Sequence, residues 1–175
     1  ARVLDLQENK VLYERLISYE AGGRLLEILK RYDALLEIYY DGIGYANEED
    51  LKVVERYMPS APMLAYIRNT RRPVEDVFRM YHGEHRPVDK IQALFASQEE
   101  KRAAFAEVRE TLPEITVCGA LHNNLEANAK EARKGVALIK LGEFLGISKE
   151  EIMACGDGSN DIEMVKEAGL GVAMS

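Results

Sequence analysis

Two carboxylates four positions apart, Asp157 and Asp161, stand in the stretch Gly156-Asp157-Gly158-Ser159-Asn160-Asp161, with an amide just before the second at Asn160. Side-chain oxygens at this spacing suit a hard divalent cation such as Mg²⁺, which takes oxygen ligands and keeps several waters. Gly156 and Gly158 let backbone approach a ligand closely. The same residues also read as an ordinary helix entry. Asp-Gly is a common turn, Asn160 and Glu163 have capping-box spacing, and acidic groups in a first helical turn favour the macrodipole. On these residues alone a metal site and a helix cap both stand.

The flanking pattern places those carboxylates. The apolar residues 152–155 read as a buried strand that Gly156 breaks. Ile162, Val165 and Ala168 then predict a helix stopped by Gly169, and the apolar run 170–174 predicts the next strand. Strand, turn, helix and strand in this order make a parallel pair with a right-handed crossover. In open α/β sheets ligands sit beyond the carboxyl ends of the strands, where Asp157 and Asp161 fall. Upstream, Lys134-Gly135 opens a helical run with Leu138, Leu141 and Leu145 on one face, closed by Gly146, and Ser148 with Glu151 has capping-box spacing. Lys130 is the competing lysine; the glycine and helix that follow single out Lys134.

The order Lys-Gly, helix, strand, Gly-Asp-Gly-Ser-Asn-Asp, helix resembles the haloacid dehalogenase-like (HAD) phosphatases, and more narrowly their Cof-type branch with a large α/β cap. The last motif of that branch reads Gly-Asp-Gly-x-Asn-Asp-x-x-Met, matched here by residues 156–164 and followed by Gly171-Val172-Ala173-Met174. The match is strong over roughly the last third of the chain, and the two motifs together are specific. The resemblance implies an α/β fold: a partial Rossmann-like core with a parallel sheet, and an inserted α/β cap domain. It implies a Mg²⁺-dependent phosphatase acting on small phosphorylated metabolites such as sugar phosphates, through an aspartate nucleophile and an aspartyl-phosphate intermediate. Lys134 is then expected to neutralise phosphate and nucleophile, and Asp157 to hold Mg²⁺. Asp161 is expected to bind the metal through water or orient Lys134, and Asn160 to contact substrate or metal-bound water. Charge stabilisation of this kind is the main lever in phosphoryl transfer.

The chain departs from that pattern at its start. The family's nucleophilic Asp-x-Asp motif does not occur; Asp5 is followed by Leu6 and Gln7 in a hairpin pattern, and the Ser/Thr phosphate-binding motif is missing as well. Residues 1–175 therefore read as an internal piece, expected not to hydrolyse phosphate esters by itself. Two other readings are a sugar phosphomutase of a related branch and a non-catalytic module that binds Mg²⁺ and phosphate.

Composition narrows the classes. A net charge of −7 over 175 residues argues against a nucleic-acid surface. No apolar run reaches membrane-spanning length and no signal-peptide pattern appears. Cys118 and Cys155 both lie in apolar runs and read as buried thiols in a reducing cytoplasm, not as a disulfide.

The remaining pattern predicts the scaffold. Residues 1–16 read as a hairpin, with strands over 2–6 and from 11 to 17 and a turn at 7–10. Ser18 caps a helix over 18–32, weakened at its start by Gly22-Gly23, and 34–40 and 43–45 are strands joined by Asp41-Gly42. Helices are expected from Asn47 to Pro59, over 62–69 and over 73–82. A strand over 90–96, a Ser97-capped helix over 98–111, and strands over 115–118 and 121–127 follow. This mixture suits a sheet with helices on one face. With the resemblance it gives a core hairpin over 1–18, the cap over 19–121 and a core segment over 122–175. Tyr39, Tyr40 and Tyr45 read as partly buried strand tyrosines. Arg68, Arg71 and Arg72 read as a solvated helix end, His82, His85 and Arg86 as a surface loop, and 98–102 as a solvated charged face.

Overall fold

In the computed structural model, which describes residues 2–58, 60–119, 122–158 and 161–174, the chain opens with an antiparallel hairpin of β1 (Arg2–Asp5) and β2 (Lys10–Glu14). The Asp5 carboxylate accepts the Gln7 and Glu8 N–H groups, and Asn9 takes the left-handed conformation that closes the turn. The chain then divides into two units, Leu16–Ala129 and Ala1–Arg15 with Lys130–Ser175.

The larger unit begins with α1 (Tyr19–Leu29), whose Ser18 cap accepts the Ala21 N–H at 3.2 Å. β3 (Ala34–Tyr40) and β4 (Ile43–Asn47) form a hairpin with Asp41 at φ 54° and Gly42 at φ 79°, the paired left-handed turn that matches strand twist. There follow α2 (Glu48–Lys52), a single 3₁₀ turn over Val54–Arg56, α3 (Ala61–Thr70), β5 (Arg71–Val74), α4 (Val77–Glu84) and β6 (Lys90–Phe95). The unit ends with α5 (Gln98–Thr111), β7 (Ile115–Cys118) and β8 (Asn124–Ala129).

These strands make one sheet in the order β5-β4-β3-β6-β8-β7, antiparallel except for β4 with β5. Alternation sends Leu36, Ile38, Ile91, Ala93, Leu125 and Ala127 into the main core, with Leu25, Leu29, Val77, Tyr81, Ala104 and Val108 from α1, α4 and α5. On the other face a smaller core joins Leu35, Ala46 and Leu94 to Val54, Tyr57, Met58 and Ile67. Helices therefore cover one face and one end of the other, where the pattern predicted a single face.

Other expectations are corrected here. The helix placed over 73–82 is an edge strand followed by a later helix. Pro73 suits β5, the sheet's edge, and the Asp76 carboxylate accepts the Phe78 and Arg79 N–H groups to start α4. Gly22 is a close-approach residue: a Cβ there would meet the Tyr81 hydroxyl oxygen at 2.5 Å. The strand expected over 121–127 is β8, which starts at Asn124 among the described residues and runs on to Ala129; residue 121 lies outside them.

The smaller unit holds α6 (Lys134–Leu145), a 3₁₀ turn over Lys149–Glu151, β9 (Met153–Gly156), α7 (Ile162–Glu167) and β10 (Leu170–Ala173). β9 and β10 pair in parallel, as the strand–helix–strand pattern requires. Gly146, at φ 70°, ends α6, and the Ser148–Glu151 capping box is formed. Ile152, Ala154 and Ala168 pack with Leu138, Ile139 and Met164. Strand β9 is buried on this side alone: Met153 is exposed, and so is Cys155, while Cys118 is half-buried, so neither cysteine is the fully buried thiol expected. Leu145 is likewise exposed, because α6 meets Ile152 across Gly142, where a Cβ would lie 2.7 Å from the Ile152 Cδ1. No helix among the described residues is long and apolar enough to cross a membrane.

Candidate functional site

The site is built on the carboxyl end of β9. After Gly156 the chain turns, and Asp161 stands at the N-cap of α7 with its N–H bonded to the Gly158 carbonyl at 3.0 Å. Its side chain folds back into the turn, where Oδ2 accepts the Gly158 N–H at 3.3 Å. Asp161 is 7% exposed, an unusual burial for an unpaired acid. Gly156 makes the space: a Cβ there would lie 2.4 Å from the Asp161 Cβ.

The acid is paired. Lys134, the first residue of α6, donates from Nζ to Asp161 Oδ1 at 2.6 Å. This lysine, with the Gly158 N–H second, holds the Asp161 carboxyl below its ordinary range. The Lys134 side chain remains half exposed while that of Asp161 does not. One ammonium proton is thus anchored on protein, leaving two donors for an anion. Gly135 permits the approach of α6 to α7, since a Cβ there would meet Met164 Cα at 3.2 Å and the Glu167 carboxylate at 2.5 Å. Arg133 ties the same two helix starts together through Glu163, at 3.0 Å.

Asp157 is exposed, and its carboxylate has no side-chain partner among the described residues. Asn160 lies outside the described residues. Among those described, no group of three or more His, Cys, Asp or Glu could cage a metal. The donor set is therefore one open carboxylate and one carboxylate engaged with Lys134. Such a set fits a hard ion that completes its shell with water and ligand oxygens, and does not fit a metal needing a protein cage.

Of the residues singled out by sequence, Lys134 and Asp161 are brought into contact, and Asp157 stands in the same turn. Arg68, Arg71, Arg72, His82 and His85 belong to the larger unit. There the solvated helix end expected at Arg71 is corrected: its guanidinium is buried and donates to Glu37 Oε1 at 2.8 Å, and Glu37 has no exposure. The sequence signal was a lone Glu in the apolar strand 34–40. His82 lies in α4, hydrogen-bonded to the Tyr19 hydroxyl, and His85 is its left-handed C-cap. Arg133 was missed altogether; nothing in its spacing pointed to Glu163.

With this geometry in place, comparison with known proteins points to a family. A family model for haloacid dehalogenase-like hydrolases matches residues 1–175. Phosphatase YwpJ of Bacillus subtilis is 31% identical over 142 residues, covering 80% of this chain and 48% of that protein. The 5-amino-6-(5-phospho-D-ribitylamino)uracil phosphatase YcsE of the same organism is 49% identical over 61 residues, 35% of this chain and 24% of that protein. A solved haloacid dehalogenase-like hydrolase from Bacteroides thetaiotaomicron superposes with a TM-score of 0.78 at 22% identity, over 99% of this chain and 62% of that one. The chain thus spans a quarter to a half of these two curated relatives. The Lys134–Asp161 pair, the glycine-lined turn after β9 and the match over the full sequence converge: the chain belongs to the haloacid dehalogenase-like hydrolase family.

Proposed function

We propose that this chain supplies the lysine and acidic-loop part of a Mg²⁺-dependent phosphomonoesterase for small phosphorylated metabolites, sugar phosphates among them. The observation that carries the reading is the 2.6 Å contact between Lys134 Nζ and Asp161 Oδ1 at the carboxyl end of β9. Lys134 binds a phosphoryl oxygen with its remaining N–H groups and offsets the negative charge that a carboxylate nucleophile and a phosphate bring together. Asp161 is the positioning acid that holds that ammonium, and Asp157 is the open oxygen ligand. Asn160 contributes an amide to substrate or metal-bound water. When bound, Mg²⁺ supplies electrostatic stabilisation of phosphoryl oxygens. The larger unit serves as the cap, and two relatives named as phosphatases support the reaction class. Cys118 and Cys155 are not joined in a disulfide, which suits a reducing compartment such as the cytoplasm.

The test is a screen of phosphate monoesters against the protein that contains this chain, with and without Mg²⁺ and with Lys134→Met. Mg²⁺-dependent release of phosphate that collapses in the variant is the expected result. Equal turnover with Lys134 replaced would remove the site from the reaction.

A further inference from the structure

The start of α6 carries two adjacent cations, Arg133 and Lys134, and no acid in its own first turn. Helix α7 and its N-cap supply the acids. Asp161 accepts from Lys134 at 2.6 Å and Glu163 accepts from Arg133 at 3.0 Å. Glu167 lies over Gly135, where a Cβ would meet its Oε2 at 2.5 Å, and its carboxylate has no ion-pair partner among the described residues. Three carboxylates therefore converge on two cations, and one of those cations is the lysine whose remaining N–H groups are open to an anion.

The two pairs differ in kind. Asp161 is buried, and the Gly158 N–H holds its second oxygen. Arg133 and Glu163 have side-chain exposures of 45% and 53%, and an ion pair so exposed adds little to stability because water screens both charges. Its consequence for Lys134 is more direct. Lys134 is a flexible four-carbon stem, half exposed and anchored by one proton. Arg133 precedes it in the chain and reaches Glu163, so the Glu163 carboxylate stands within a side chain's length of the helix start from which Lys134 also extends. Without Arg133, Glu163 would be a second carboxylate competing for the ammonium. It would also be an unmatched negative charge near any anion that Lys134 holds, where screening over roughly 8 Å is incomplete. A guanidinium suits the task because it stays charged at every working pH.

We infer that Arg133 is a positioning residue: it engages the Glu163 carboxylate, so that Lys134 keeps Asp161 as its anchor and turns its other N–H groups to an anionic oxygen. The identity of that anion as a phosphate ester rests on the proposed function; the competition of charges at the start of α6 does not. The two members of the pair then act with opposite signs. Arg133→Gln frees Glu163 to compete and should weaken phosphate binding about threefold, the scale of one exposed charge pair. Glu163→Gln removes the competitor and releases a guanidinium toward the anion, so it should tighten binding by a similar factor. The double variant returns close to the parent, and Arg133→Lys, which keeps the charge, stays there. A plain clasp between the helices gives another pattern, in which both single variants and the double weaken binding alike.

The test is an amide-resolved NMR titration of the 175-residue chain and these variants with inorganic phosphate plus Mg²⁺, read at the start of α6. Beside it, KM and kcat are measured for a phosphate monoester with the protein that contains this chain. The expected order of affinity is Glu163→Gln first, then the parent, Arg133→Lys and the double variant together, then Arg133→Gln. The same order is expected in KM, with kcat moved less. The inference is overturned if the two single variants shift affinity in the same direction, if the double variant binds no better than Arg133→Gln, or if the parent binds no phosphate. A parent that hydrolyses no ester while its phosphate affinities follow the expected order overturns the proposed function and supports the inference; hydrolysis by the parent with any of those three failures does the reverse.

Discussion

Lys134 Nζ and Asp161 Oδ1 are 2.6 Å apart, joining the first residue of α6 to the N-cap of α7. The lysine alone would be a mobile surface cation, and the acid alone would be a costly buried charge. Together they make a fixed ammonium beside an open carboxylate, Asp157, at the end of a parallel strand. Arg133 and Glu163 repeat the link one residue earlier and two residues later, so the two helix starts are held at two points.

Asp161→Asn keeps the shape of the side chain but removes the charge that anchors Lys134. Loss of a group that orients a ligand-binding residue characteristically weakens metal or ligand binding by about 10–100-fold. Calorimetric titration of the chain with phosphate in the presence of Mg²⁺ should show a loss of that order. Unchanged affinity would take Asp161 out of the site.

Gly156→Ala tests the same turn through packing. The new Cβ would press on the Asp161 Cβ at 2.4 Å, an atom next to the backbone that cannot swing aside. Overpacking of this kind costs about 1–3 kcal/mol. Gly83→Ala is the matched control, since nothing lies within 4 Å of its Cβ and it sits inside α4 at negative φ. It should be neutral or stabilise by up to about 1 kcal/mol, from helix propensity alone. Urea unfolding should therefore show a loss for Gly156→Ala and none for Gly83→Ala; a Gly156→Ala variant as stable as the parent would show that the close approach at Gly156 is not limiting.

These two glycines show what the sequence made legible. Motif residues with local spacing were readable, because the strand–turn–helix order fixes where Gly156, Asp157 and Asp161 must fall. Lys134 was readable only through its company, the following glycine and an apolar run. The helix caps at Ser18, Ser97 and Ser148 were readable too, each being a local hydrogen-bond motif. What failed was non-local. Pro73 looked like a helix start because its neighbours alternate weakly, and only its edge position in the sheet decides otherwise. Arg71 looked solvated because its partner, Glu37, lies on another strand.

Acid should weaken the larger unit through Glu107. Arg31 and then the Tyr32 hydroxyl bind this carboxylate and hold its pKa below the ordinary range. A group with a depressed folded-state pKa contributes stability that is present above its unfolded value and is lost as pH falls through the folded one. The thermal midpoint should thus decline on acidification below the ordinary carboxylate range, and Glu107→Gln should flatten that part of the profile. Since Arg31 and Glu107 are both partly exposed, salt should reduce the difference between parent and variant. A parallel decline in the variant would assign the acid sensitivity to other groups.

The buried pair in the sheet gives the sharpest contrast. Arg71 and Glu37 have side-chain exposures of 6% and 0%, and Arg71 stacks between the rings of Tyr39 and Tyr66 at 5.4 and 5.0 Å. Arg71→Leu leaves the Glu37 carboxylate in the sheet with only the Tyr39 hydroxyl to bind it, because Arg71 is its one cationic partner among the described residues. Breaking a buried pair from one side costs about 3–5 kcal/mol, while replacing both members with apolar groups of similar volume is often neutral. The double variant Glu37→Leu with Arg71→Leu should therefore be more stable than Arg71→Leu alone. A denaturation cycle over the four proteins measures this directly. If the pair is not what holds the fold, the double variant keeps the parent's melting temperature. A double variant as unstable as the single one would instead make the ion pair a structural requirement of the sheet.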